Sequence, residues 1–462
     1  MSRPVYPVET QGPTALWPSR LAASVTIGFA ATVAMWVVWF LTNLPGVQLH
    51  ASVSGPALLL TAGTLVLIGA VRLPRNDRLV VGALAGLVAG LANLLALGSQ
   101  LTAPTNAGAA APGAEGLKPG AGLIVIGFLV TMCVTGLVAG FGARSLGGND
   151  ARRSARDWYG TFAFVNAWAI LPLIALGGLV TSARAGFAVP DWPGTYGANM
   201  LLYPLALMSE PRIFLEHSHR LFGMMVGLTT TAGFVLALCY SGSGRVKLGA
   251  LGLLLLVIAQ GVVGGFWTQD KALWMVIAHG IAGQVFFALA CAHAASVSPG
   301  WLRWTADPSA VGVATPRKGA AVLLALLVVQ LTMGAMVRHM GSRGAHALYT
   351  HIALAMVILV LASIVGVKML RLKSTPVHGK GLRLAGHNVT MAVGLQVLLG
   401  GVALVAWVQT KDAVAPLAAQ LGETPMMKPW TVLVRTAHQA NGALVLGSSA
   451  VLAMWALARR RA

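Results

Sequence analysis

The sequence predicts an all-α polytopic membrane protein of about twelve transmembrane helices, and three observations carry that class. Of its 462 residues 56% are hydrophobic and only 10% are charged, which sets it apart from soluble domains. Apolar runs of about 20 residues, enough for a helix to cross ~30 Å of hydrocarbon, recur along the whole chain. Its cations alternate from one connection to the next.

The runs begin near residues 21, 55, 79, 121, 159, 213, 247, 273, 319, 346, 386 and 431. The second is short and interrupted by glycine, so eleven spans is the alternative count. The first is too long for the apolar core of a cleaved signal and lacks a clear small-residue cleavage site, so it is expected to stay as helix 1. Most of the 32 lysines and arginines fall in every second connection: Arg3 and Arg20, Arg72 to Arg78, Arg144 to Arg156, Arg245 and Lys247, Arg303 to Lys318, Lys368 to Arg383, and Arg459 to Arg461. This is the positive-inside pattern, with both termini cytoplasmic. A net charge of +20 distributed in this way argues against a basic segment for nucleic acid. Cys133, Cys239 and Cys291 fall within or at the inner ends of spans, which gives no disulfide framework or zinc motif and reads as small buried residues.

Residues 1–150 hold four spans and one histidine, His50, and read as an added domain. "APTNAGAAAPGAEGLKPGAG" (103–122) is small and polar enough for a flexible outer loop. The remaining eight spans read as two four-helix units, 151–300 and 301–462, related by an internal repeat. "AQGVVGG" (259–265) and "LQVLLGG" (395–401) share Gln-x-x-x-Gly-Gly in spans 7 and 11. "AHGIAG" (278–283) and "AHQANG" (437–442) share Ala-His-x-x-x-Gly in spans 8 and 12, and "GGLVTSARAG" (177–186) parallels "MGAMVRHMGS" (333–342). The outer segment 183–212, with "AVPDWPGTYG", joins spans 5 and 6, whereas spans 9 and 10 are joined almost directly. That elaboration marks the first unit as the functional one.

Four of eleven histidines are set apart by position: His219, His279, His351 and His438, in spans 6, 8, 10 and 12. Each lies one to two turns inside the outer end of its span, roughly 7–12 Å along the axis. In an up-down bundle these spans sit diagonally across each core, so each unit offers two facing imidazoles. One turn further in stand Gly223, Gly283, Ala355 and Gly442. Small residues there leave room for a planar porphyrin between two axial imidazoles, although small-xxx-small spacing also serves close helix packing. His217 lies about 200° around the helix from His219, so both cannot face one iron. His293 reads as a packing or hydrogen-bonding residue, while His339 and His346 flank the outer turn and read as solvated or interfacial. Glu216 precedes His219 by three residues and Arg220 by four, so the three can share a helix face. It reads either as a first-turn carboxylate paired with Arg220 or as an acid or base beside a cofactor. No carboxylate precedes His351 in "HALYTHIALA".

These motifs resemble the heme A synthase family over about 159–460: "GGLVTSARAGFAVPDWP", Glu-x-x-His-Arg within "EHSHR", the Gln-x-x-x-Gly-Gly pairs and "AHQANGALVLG". The resemblance implies oxidation of the C8 methyl of heme O to the formyl group of heme A, for assembly of aa3-type cytochrome oxidases. It implies that His219 and His279 bracket heme O as substrate, that His351 and His438 ligate a permanent heme b, and that Glu216 is the catalytic carboxylate. Asp191, Trp192 and Arg220 are then contacts of a loop closing over the site. His346 stays open as an alternative to His351. The chain departs from many bacterial relatives in lacking a cysteine pair in the PDWP loop. Its first four spans lie outside the pattern and are candidates for docking heme O synthase, the farnesyltransferase, or oxidase subunits. The implied setting is a bacterial plasma membrane, with membrane lipid around the spans and the haem sites toward the outer face. Two other classes fit parts of the pattern: a two-haem electron-transfer cytochrome, which leaves Glu216 without a role, and a twelve-span transporter, whose usual repeat is six plus six.

Overall fold

The structure, a computed structural model, describes residues 16–104, 114–146, 153–270, 272–306, 317–340, 345–372, 378–410 and 428–457. Twelve helices are long and apolar enough to cross a membrane, and the protein is multi-pass. In chain order they are α1 (Leu16–Asn43), α2 (Ala51–Ala70), α3 (Arg78–Leu101), α4 (Ala121–Ser145), α5 (Ala155–Ser182), α6 (Pro211–Tyr240), α7 (Gly244–Asp270), α8 (Leu273–Ser296), α9 (Arg317–Met340), α10 (Ala345–Leu370), α11 (His378–Thr410) and α12 (Pro429–Leu457). The short second run is thus a helix in its own right. Two small antiparallel ribbons lie between α3 and α4 and between α5 and α6: β1 (Thr102–Pro104) with β2 (Ala114–Leu117), and β3 (Gly194–Thr195) with β4 (Ala198–Asn199). The segment expected as a loop at 103–122 is therefore partly paired at its flanks, and its centre, 105–113, lies outside the described residues. So do the terminal cations Arg3 and Arg459 to Arg461.

Local chemistry sets the helix ends. Ser154 and Asp157 form a reciprocal capping box at the start of α5, which satisfies two backbone donors that the helix leaves open. At the start of α6 the Glu210 carboxylate accepts from the Ile213 N–H at 2.7 Å, and Pro211 occupies the first helical position, where its missing N–H costs nothing.

Packing of α5 on α6, α6 on α7, α7 on α8 and α8 on α5 closes one ring of four helices. A second ring runs α9 to α10, α11, α12 and back to α9. Within each ring the helices that carry the four singled-out histidines are diagonal partners. The rings meet where α12 packs on α5 and α8, and α9 packs on α8.

The first four helices pack on the first ring through α1, which contacts α5 and α6. Trp36 of α1, fully buried, meets Phe222 of α6 edge-on at 5.3 Å, and Phe40 stacks on Phe214 at 5.4 Å. Such aromatic pairs contribute about 0.5–1.5 kcal/mol each beyond area burial. Within the added domain α3 and α4 touch backbone to backbone at Gly82, Gly86, Gly136 and Gly140, the close approach that small residues permit between membrane helices. Arg78, fully buried at the start of α3, donates to the carbonyls of Leu73 and Ala143 at 2.9 and 2.5 Å. It thereby satisfies acceptors left open where helices end. The cysteines are free; Cys133 and Cys291 are half-buried, but Cys239 is exposed, contrary to expectation, because the end of α6 buries Leu236 and Ala237 and leaves Leu238 and Cys239 uncovered.

Candidate functional site

Glu216 and Arg220 sit one turn apart on α6 and form an ion pair at 3.1 Å, with 6% and 7% of their side chains exposed. Burying two charges is costly unless every remaining donor is used. Arg220 uses them on the outer loop: it donates to the carbonyls of Asp191 and Gly194 at 2.6 and 3.0 Å and to Val189 at 2.9 Å. One guanidinium therefore holds the loop between α5 and α6 down on the helix that bears the carboxylate.

That loop is ordered by its own residues. Its hairpin turns at Tyr196 and Gly197, both with positive φ, the geometry that two-residue hairpins prefer. The Asp191 carboxylate accepts from both turn N–H groups, at 2.7 and 2.8 Å. Trp192 lies against Gly265 of α7, where a Cβ would collide with the indole. His217, wholly buried, faces the loop through Thr195 Oγ1 at 3.2 Å and the Tyr203 ring at 5.3 Å. Burial pushes the Tyr203 hydroxyl up to about 12, so it stays protonated. From the added domain Thr102 donates to the Leu202 carbonyl at 2.6 Å, and Gly98 permits contact with the Leu201 carbonyl.

Below the loop lies a cavity of about 980 Å³, lined from both rings. Glu216, His219, Arg220, Trp192 and His279 line its first half, and His351 and His438 line its second. Asp191 is not in the lining and acts on the loop. His346 is exposed, so in α10 it is His351 that reaches the cavity. His293 lies elsewhere, bonded to the Tyr159 hydroxyl at 2.6 Å.

All four histidine rings share one arrangement. Each sets its Cε1 against a glycine of the preceding helix: His219 on Gly177, His279 on Gly264, His351 on Gly334 and His438 on Gly400. A Cβ at any of these glycines would stand 2.9–3.2 Å from the ring, inside ordinary carbon contact of about 3.5–4.0 Å. The residues one turn inward of the histidines, Gly223, Gly283, Ala355 and Gly442, all line the cavity. A Cβ at Gly223 would meet nothing within 4 Å, so this glycine opens space and does not pack a helix.

The second pair has measurable geometry. The ring centres of His351 and His438 are 6.3 Å apart, with planes at 74°. His351 Nδ1 lies 3.1 Å from the Gln330 carbonyl oxygen. That oxygen can only accept, so Nδ1 carries the proton and Nε2 is left for a metal. Gln396 stands 3.4 Å from His438 Nε2 and is itself held by Asn441 at 2.8 Å. In His219 a buried nitrogen, Nδ1, has no protein partner. Among the described residues no three His, Cys, Asp or Glu side chains gather to cage an ion. Two imidazoles, flat small-residue walls and a large apolar cavity fit a porphyrin, which brings its own in-plane donors.

Several lining residues escaped the sequence reading. His339, expected to be solvated or interfacial, is half-buried and lines the cavity, because the last turn of α9 is tucked into the seam between the rings. Arg338, Arg435, Gln284 and Gln330 line it as well. The available signal was that Arg338 and Arg435 are cations placed inside apolar spans, which is expensive without a purpose.

Residues 160–346 match the COX15-CtaA family, described as cytochrome oxidase assembly protein. The match covers less than half of the chain, and over that stretch the chain is similar to this family. The COX15-CtaA segment includes the outer loop, Glu216, His219, Arg220 and His279, and it ends before His351 and His438. The match supports a role in cytochrome oxidase assembly that involves haem. No curated protein and no solved structure matches the chain.

Proposed function

We propose that this protein is a heme A synthase, oxidising the C8 methyl of heme O to the formyl group of heme A. The observation that carries the reading is an asymmetry within one cavity: the His219/His279 half contains a buried carboxylate, Glu216, and the His351/His438 half contains none.

In this reading His219 and His279 hold heme O as substrate, and His351 and His438 hold a resident heme b. When bound, heme b supplies a one-electron relay for an oxidation that must dispose of electrons. Turning a methyl into a formyl group also takes up an oxygen atom, with water as the balancing co-reactant, and releases protons, which Glu216 is placed to accept at its Oε atoms. Arg220 keeps Glu216 oriented and, through three carbonyls, keeps the loop shut over it. Trp192 closes the same end against Gly265. In this reading both termini lie in the cytoplasm, as the positive-inside pattern supports, and the cavity lies toward the outer face of a bacterial plasma membrane.

The test is chromatography of haems extracted from the purified protein after co-expression with a source of heme O. Heme A, or its hydroxymethyl precursor alongside heme B, supports the proposal. Heme B alone, reducible by dithionite, would make the protein an electron-transfer cytochrome instead, and absence of haem would return a transporter to consideration.

A further inference from the structure

At the seam between the rings the cavity wall is cationic. Arg338 and His339 come from the end of α9, and Arg435 comes from α12. Arg338 donates to the Gly178 carbonyl and to Ser182 Oγ of α5, at 2.8 and 2.7 Å, yet its Nε is buried with no partner. Arg435 is half-buried and within electrostatic reach of Arg338 and Arg184. Nearby in the outer loop, burial and Arg212 pull the Arg184 guanidinium below its ordinary value. The described ion pairs are Arg20 with Asp77 and Arg220 with Glu216, so no described carboxylate neutralises Arg338 or Arg435. Uncompensated cations inside a membrane protein are costly, which points to an anion supplied by a ligand.

Register says where that anion lies. Arg338 follows Gly334, the glycine under His351, by four residues, and Arg435 precedes His438 by three. Both guanidinium groups therefore stand about one turn, ~5 Å, outward of the second histidine pair. In the first ring the position three residues before His219 is Glu216. That carboxylate is already ion-paired with Arg220, so the same level of the cavity is charge-compensated beside one pair and cationic beside the other.

We propose that Arg338 and Arg435 form a carboxylate-binding site for the propionates of the porphyrin held by His351 and His438. This rests on the haem reading above. A guanidinium fork matches a carboxylate and is more weakly hydrated than an ammonium. Propionates bound there point the porphyrin edge outward. At the other pair Arg220 is already engaged by Glu216 and three carbonyls and offers no comparable free guanidinium.

The experiment titrates full-length protein, purified from haem-limited cells into phosphatidylcholine nanodiscs, with haem B and with haem B dimethyl ester, whose propionates are blocked. The readout is the low-spin absorbance change on axial ligation. Wild type should bind haem B at least tenfold more tightly than the ester, as charged hydrogen bonds of about 1.5–3 kcal/mol require. Arg435→Gln should lose at least tenfold for haem B and nothing for the ester. Arg338→Gln should do the same, but it also breaks contacts to α5, so Arg435→Gln, which has no described protein bond to lose, decides. Equal binding of both ligands by wild type, or equal weakening of both by Arg435→Gln, overturns the site. Phosphatidylglycerol nanodiscs that erase the preference for haem B would assign the cations to a lipid headgroup and overturn it as well. If wild type binds neither ligand, or if His438→Ala leaves the titration unchanged, the haem reading itself fails.

Discussion

A single methyl group tests whether the glycines beneath the histidines position metal ligands. In Gly334→Ala the new Cβ would stand 2.9 Å from His351 Cε1 and 3.3 Å from Nδ1. Carbon contacts relax at about 3.5–4.0 Å, so the ring must retreat by roughly 0.6–1 Å. Its Nδ1 bond to the Gln330 carbonyl, now 3.1 Å, would be stretched toward or beyond the ~3.5 Å limit of a useful hydrogen bond. The ring would also shift relative to His438, whose ring centre is now 6.3 Å away. Disturbing the partners that orient a metal ligand weakens affinity about 10–100-fold, which corresponds to about 1.4–2.7 kcal/mol. The assay is haem-to-protein ratio together with the low-spin ferric EPR signal of the second site. Gly394→Ala in α11 is the control, since a Cβ there meets nothing within 4 Å. A full haem ratio with an unchanged signal in Gly334→Ala, or the same loss in Gly394→Ala, would refute the reasoning.

Glu216→Gln should retain bound haem yet form no heme A, and Glu216→Ala should do likewise at a greater cost in stability, because it strands Arg220 in the interior at about 3–5 kcal/mol. Wild-type product in either variant, read by haem chromatography, removes Glu216 from the mechanism. His438→Ala should lower haem content by the resident haem while heme O added to membranes is still bound at the first pair. Retention of both haems would contradict the assignment. Trp36→Ala, at a wholly buried site against Phe222, should cost about 3–5 kcal/mol and lower the midpoint of thermal unfolding in detergent. An unchanged midpoint would mean that the added domain does not brace α6.

The sequence alone was enough to count the helices and to single out the histidines. Span length is a local property, legible as a run of apolar residues, and the depth of a histidine in its span follows from counting along one helix. The loop was also legible in part: Arg220 follows Glu216 by four residues, so their pairing on one face needs no neighbour. What Arg220 does with its other nitrogens, holding Val189, Asp191 and Gly194, depends on where a distant segment returns. The same holds for Gly177, Gly264, Gly334 and Gly400. Their Gly-Gly and Gln-x-x-x-Gly contexts were visible, but the ring that each supports lies on another helix. Arg338, His339 and Arg435 were counted with the outer cations and turn residues, because hydropathy reports that a residue is near a helix end and not which way it points. Residues 1–150 read only as an added domain, until α1 was seen to pack its tryptophans against the helix that carries Glu216 and His219. Length and periodicity are encoded along the chain, whereas a cavity is a relation between helices whose crossing and rotation are set by packing, so only the tertiary structure could decide what faces it.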